Sequence, residues 1–108
     1  MQLDAYQEAA RKTAIYEARH KVVYPALGLA SEAGEVAGKV KKVLRDRGGV
    51  FEAKQIEALK DELGDVLWYV AVLAADLGLS LDAIAEGNVA KLASRRERGA
   101  LGGEGDRR

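Results

Sequence analysis

The chain has no cysteine, which excludes disulfides and thiolate metal sites together. It has one histidine, His20, too few for a histidine-rich metal centre or a phosphohydrolase built on His-Asp pairs. Neither sign of charge is in excess. Lys+Arg and Asp+Glu are both 17, so bulk charge gives no pull toward nucleic acid or an anionic membrane. No run approaches the roughly 18–20 apolar residues of a membrane span. The first residues, MQLDAYQEAARK, are amphipathic and charged, unlike a secretion signal. A cytoplasmic location is the expectation. Aromatic and β-branched residues are sparse, and no alternating run lies between hairpin turns, so strands are not expected. Proline occurs once, at Pro25.

What remains is helix. At 108 residues one domain is expected, residues 1–98, followed by a tail, 99–108, with four glycines in ten positions. A first helix is expected over about 3–22, with Leu3, Tyr6, Ala10, Ala14 and Ala18 as a weak stripe. Tyr24-Pro25 marks a break, with Pro25 opening the next helix. That helix runs over about 25–46 on Ala26, Leu29, Ala33, Val36, Val40 and Val43, and ends at Gly48-Gly49. A third runs over about 53–77 on Ile56, Leu59, Leu63, Val66, Val70, Leu73 and Leu77, closed by Gly78. Ser80 caps a fourth over about 81–97. Short connections favour antiparallel neighbours, hence an all-α, four-helix bundle-like fold. The first helix is thin in large apolar residues and the third has a surplus, which points to a homo-oligomer.

Two segments repeat one pattern at an offset of 30. EAGEV at 32–36 and ELGDV at 62–66 each place two carboxylates around a glycine. On a wheel of 100° per residue, Glu32, Glu35 and Lys39 share one border of the apolar stripe. Glu62, Asp65 and Tyr69 share the matching border of the next helix. A glycine inside a helix costs roughly 1 kcal/mol against alanine. Gly34 and Gly64 therefore imply either close helix approach or room for a ligand. If the two helices pack antiparallel, the four carboxylates face one another. Such a set repels itself or takes up protons unless a cation intervenes. Oxygen-only ligation suits Mg²⁺ or Mn²⁺. A ferritin-like di-iron bundle would need Glu-x-x-His, and neither pair is followed by histidine. Read blandly, each pair alone is a solvated helix flank, and the repeat is what argues for a site.

Other polar residues fall into place around this set. Asn88 lies among Ile84, Ala85 and Leu92 on the fourth helix, with Lys91 and Arg95 on the adjoining border. These are candidate contacts for a polyanionic phosphate. Tyr69 is placed to reach a ligand, whereas Trp68 reads as core or interface. Tyr16, His20 and Tyr24 are candidates for a pocket wall or for packing.

The segments LGLASEAGEVAGKVKK, LKDELGDVLWYVAVLAADLGLSL and NVAKLASRRERG resemble the small MazG-like proteins of the all-α NTP pyrophosphatase superfamily. The likeness spans residues 27–99, and GGEGDRR resembles the ending of some members. Many members carry another Glu directly before the first pair, where this chain has Ser31. The resemblance implies cleavage of a nucleoside triphosphate to monophosphate and pyrophosphate. It implies metal ligation by Glu32, Glu35, Glu62 and Asp65, with two or three Mg²⁺ per site and Mn²⁺ as a substitute. Glu35, ahead of Glu32, is the expected catalytic carboxylate that handles the attacking water. Lys39, Tyr69, Asn88, Lys91 and Arg95 are the expected substrate contacts. It also implies a homo-oligomer, a dimer or a tetramer built as a dimer of dimers. No membrane or nucleic-acid partner is expected. The competing expectation is a catalytically silent helical oligomerisation or regulatory module.

Overall fold

A computed structural model describes residues 1–108. Its elements are α1 (Leu3–Arg11), a 3₁₀ turn (Ala18–His20), α2 (Val23–Arg47), α3 (Ala53–Asp76) and α4 (Leu81–Glu97). There is no strand. No single helix is long and apolar enough to cross a membrane.

The main departure from expectation is the first helix, which stops at Arg11 instead of continuing to 22. Tertiary bonds replace the helical ladder. The Thr13 hydroxyl donates to the Ala10 carbonyl at 2.9 Å and accepts from the Trp68 indole N–H at 2.8 Å. Asp76 then collects the Tyr16 hydroxyl at 2.7 Å and the Val22 backbone N–H at 2.9 Å. Val22 has φ +68°, a conformation that a β-branched residue resists, and Asp76 fixes it there. α2 thus starts two residues before Pro25, whose missing N–H falls among the first-turn donors that no helix satisfies.

The other boundaries follow the sequence. Gly48 and Gly78 take φ +59° and +73°, the left-handed exits expected after α2 and α3. The Ser80 hydroxyl accepts from Ala83 N–H at 3.1 Å and caps α4. Residues 99–108 are bends and turns.

α2 and α3 form a long antiparallel hairpin. Leu29, Val36, Val40 and Val43 meet Leu59, Val66, Val70 and Leu73 along its seam, each buried or half-buried. The best-buried core lies at the other end of α3, where Ala10, Ala71, Val72 and Leu81 join α1, α3 and α4. Gln7 locks this corner. Its amide donates to the carbonyls of Ala71 (3.1 Å) and Leu79 (2.9 Å) and accepts from Leu81 N–H (3.2 Å).

One chain does not close a four-helix bundle. The backbone turns by 105° between α3 and α4, and α4 packs on α1 and α3 while α2 packs on α3. The radius of gyration is 16.7 Å, against about 13 Å for a compact chain of this length. Several residues of the expected stripes are therefore open, among them Ile56, Leu63 and Leu77, together with Leu27 and Leu44.

Candidate metal centre

The antiparallel hairpin sets the two acidic borders opposite each other. One carboxylate oxygen each from Glu32, Glu62 and Asp65 lies within 4.8 Å of the others. Glu32 and Glu62 are half-buried and Asp65 is exposed. Glu35 stands one turn along α2, exposed and outside this triplet. The site is thus three converging carboxylates with a fourth beside them, rather than four sharing one volume. Partial burial, then the neighbouring Glu62, Asp65 and Glu35, raise the Glu32 carboxyl above the ordinary range. A divalent cation among the three would offset that repulsion, and an all-oxygen donor set fits Mg²⁺ or Mn²⁺.

Lys39 supplies the one cation in reach, its Nζ 3.6 Å from Glu62 Oε1. On the α3 side Tyr69 lies against Gly28, where a Cβ would overlap its ring. Burial, then Tyr24, then Glu32 and Asp65 push the Tyr69 hydroxyl upward. Tyr24 continues the aromatic run: its ring centroid is 6.4 Å from Tyr69 and 4.8 Å from Tyr16, on which it stacks. Burial and, less strongly, the Asp65 carboxylate raise the Tyr6 hydroxyl on α1. Trp68 meets Tyr69 edge-on at 5.0 Å and serves packing, as expected. His20 is exposed in the 3₁₀ turn.

Gly34 and Gly64 do not mediate helix contact in this chain. A Cβ at either would meet nothing within 4 Å, so what they leave is open space beside the carboxylates. The glycine that a close approach requires is Gly28. It shares the border of Glu32, Glu35 and Lys39 at spacings of 4, 7 and 11, a signal present in the sequence.

The α4 residues are placed elsewhere. Asn88 is exposed, because Ile84 and Leu92 beside it are themselves 41% and 42% exposed. Lys91 Nζ is 2.7 Å from Asp106 Oδ1. Arg95, only 5% exposed, bonds to the Asp106 carbonyl and, at 3.2 Å, to its carboxylate. Both cations hold Asp106 well below the usual carboxylate range, Lys91 more strongly. The tail closes on itself as the Arg108 guanidinium donates to the carbonyls of Ala100, Leu101, Gly102 and Gly105. Within one chain Lys91 and Arg95 thus hold the tail.

Residues 25–99 match the MazG nucleotide pyrophosphohydrolase domain. The chain belongs to that family. The MazG match takes in all four acidic residues and the whole of α3 and α4, and leaves out α1 and residues 100–108. The protein is also 46% identical over 114 aligned positions to the Gene 37 protein of Mycobacterium phage L5, with the whole of both chains covered. No solved structure gives a significant match.

Proposed function

We propose that this MazG domain hydrolyses the bond between the α- and β-phosphates of a nucleoside triphosphate, releasing nucleoside monophosphate and pyrophosphate. The observation that carries the reading is the convergence of Glu32, Glu62 and Asp65 from two helices, in a chain of this family. Two or three Mg²⁺ ions, or Mn²⁺ in their place, would neutralise phosphate oxygens there and make a water more acidic. Glu32, Glu62 and Asp65 would hold them. Glu35, set apart from the triplet, orients the attacking water and takes its proton. The water oxygen bonds to the α-phosphorus as the bond to the bridging oxygen breaks, and pyrophosphate leaves with that electron pair. Lys39 offsets the charge gathered on the leaving group. Beyond that proton transfer the protein contributes mainly position and charge, as phosphoryl transfer requires.

The exposed apolar side chains of the hairpin, Leu27, Leu44, Ile56, Leu63 and Leu67, support assembly of two or four copies. Asn88, Lys91 and Arg95 would reach the phosphates in such an assembly once Asp106 gives way. The same exposed surface supports the second reading, a helical interaction module without catalysis. On the pyrophosphohydrolase reading the role lies in controlling or cleaning a nucleotide pool, in the cytoplasm.

A panel of canonical NTPs and dNTPs with Mg²⁺ or Mn²⁺, run with and without inorganic pyrophosphatase, separates these readings. Phosphate that appears only with the coupling enzyme, and is lost in Glu62→Gln, is the expected result. Phosphate without coupling contradicts cleavage between the α- and β-phosphates. Equal silence of wild type and Glu62→Gln favours the module.

A further inference from the structure

The loop end of the α2–α3 hairpin holds a cavity of about 400 Å³. Lys39, Lys42, Arg47 and Lys54 line it, with Asp46 the one acidic side chain. Asp46 is already matched from outside the cavity, where Arg45 grips its two oxygens at 2.7 and 2.9 Å. Lys42, Arg47 and Lys54 make no ion pair. The cavity therefore carries an uncompensated positive charge in a chain whose formal net charge is zero.

Its position gives that charge a direction. Lys39 and Lys42 follow Glu35 on the acidic border of α2, about 6 and 10 Å along the helix axis. Lys54 precedes Glu62 on the acidic border of α3. Lys39 belongs to both places, lining the cavity while its ammonium lies 3.6 Å from Glu62. A phosphate chain that starts at the carboxylates and runs toward the hairpin loop passes from a metal-binding surface onto a cationic one, with Lys39 common to both. The α4 cations offer no such route within the chain, since Asp106 already occupies Lys91 and Arg95.

We propose that this cavity is the subsite for the β- and γ-phosphates, and that it holds the pyrophosphate as it leaves. Lys42, Arg47 and Lys54 then select a triphosphate over a diphosphate, because only the longer chain reaches them. The inference rests on the pyrophosphohydrolase reading above and adds the direction in which the substrate lies. Arg47 is suited to a bidentate grip on a terminal phosphate, and the lysines act as point charges.

The test compares two double variants of equal charge change. K42M/K54M removes two cavity cations, whereas K41M/K60M removes two exposed cations from the opposite border. Binding of inorganic pyrophosphate with Mg²⁺ is measured by calorimetry, and KM and kcat are measured for the triphosphate turned over. K42M/K54M is expected to weaken pyrophosphate binding roughly tenfold or more, with the kinetic loss falling on KM, while K41M/K60M binds as wild type does. Equal behaviour of the two doubles, or unchanged binding in K42M/K54M, overturns the subsite. Failure of the parent reading looks different: wild type then cleaves no triphosphate. Selective loss of pyrophosphate binding in K42M/K54M would, even so, uphold the anion site.

Discussion

Tyr69 lies over Gly28 so closely that no side chain fits between them. The tyrosine cannot simply swing away, because Trp68 meets it edge-on and Tyr24 flanks it. Gly28→Ala is therefore expected to destabilise the fold by about 1–3 kcal/mol, even though alanine is the better helix former. Gly34→Ala and Gly64→Ala, which meet nothing within 4 Å, should instead gain up to about 1 kcal/mol each. Urea unfolding of the three variants checks the contrast, and a stabilised Gly28→Ala would refute the close approach.

The carboxylates should divide by role. Glu32→Gln, Glu62→Gln and Asp65→Asn are expected to weaken Mn²⁺ binding, read by electron paramagnetic resonance. Glu35→Gln should bind Mn²⁺ nearly as wild type does and lose turnover by roughly 10²-fold or more. Equal loss of Mn²⁺ from all four would make Glu35 a ligand of the same rank.

The tail contact should respond to acid. Asp106 titrates below its ordinary range because Lys91 and then Arg95 hold its charged form. Its contribution is therefore complete above the unfolded aspartate value, about 3.9, and is lost as pH falls through the lower folded value. Amide protection factors in residues 99–108 should hold down to pH 4 and fall below it. Asp106→Asn should show low protection at every pH, and an unchanged profile would mean that other contacts hold the tail.

Thr13→Val should release the end of α1. It removes the acceptor of the Trp68 indole N–H and costs about 1 kcal/mol. Trp68 is the only tryptophan, so a red-shifted emission on substitution reports the loss directly.

The repeat at an offset of 30 was legible because helical periodicity fixes a border as firmly as it fixes a stripe. Once α2 and α3 pair antiparallel, Glu32, Glu62 and Asp65 have little choice but to meet. The caps at Gly48, Gly78 and Ser80 were legible for the same local reason. The path of residues 12–22 was not. Thr13, Tyr16 and Val22 leave the helix for partners on α3 some 55, 60 and 54 positions away, and no local pattern encodes them. Gln7, a buried polar hub between α1, α3 and α4, was hidden likewise, since its three bonds all go to distant backbone. Arg95 read as a free cation, but burial and Asp106 claim it.

Hydrolysis in ¹⁸O-labelled water identifies which phosphorus the water attacks. With Mg²⁺ and a triphosphate substrate, one ¹⁸O is expected in the nucleoside monophosphate and none in pyrophosphate, as attack at the α-phosphorus requires. Label in the pyrophosphate, or in free phosphate with nucleoside diphosphate as co-product, would contradict it.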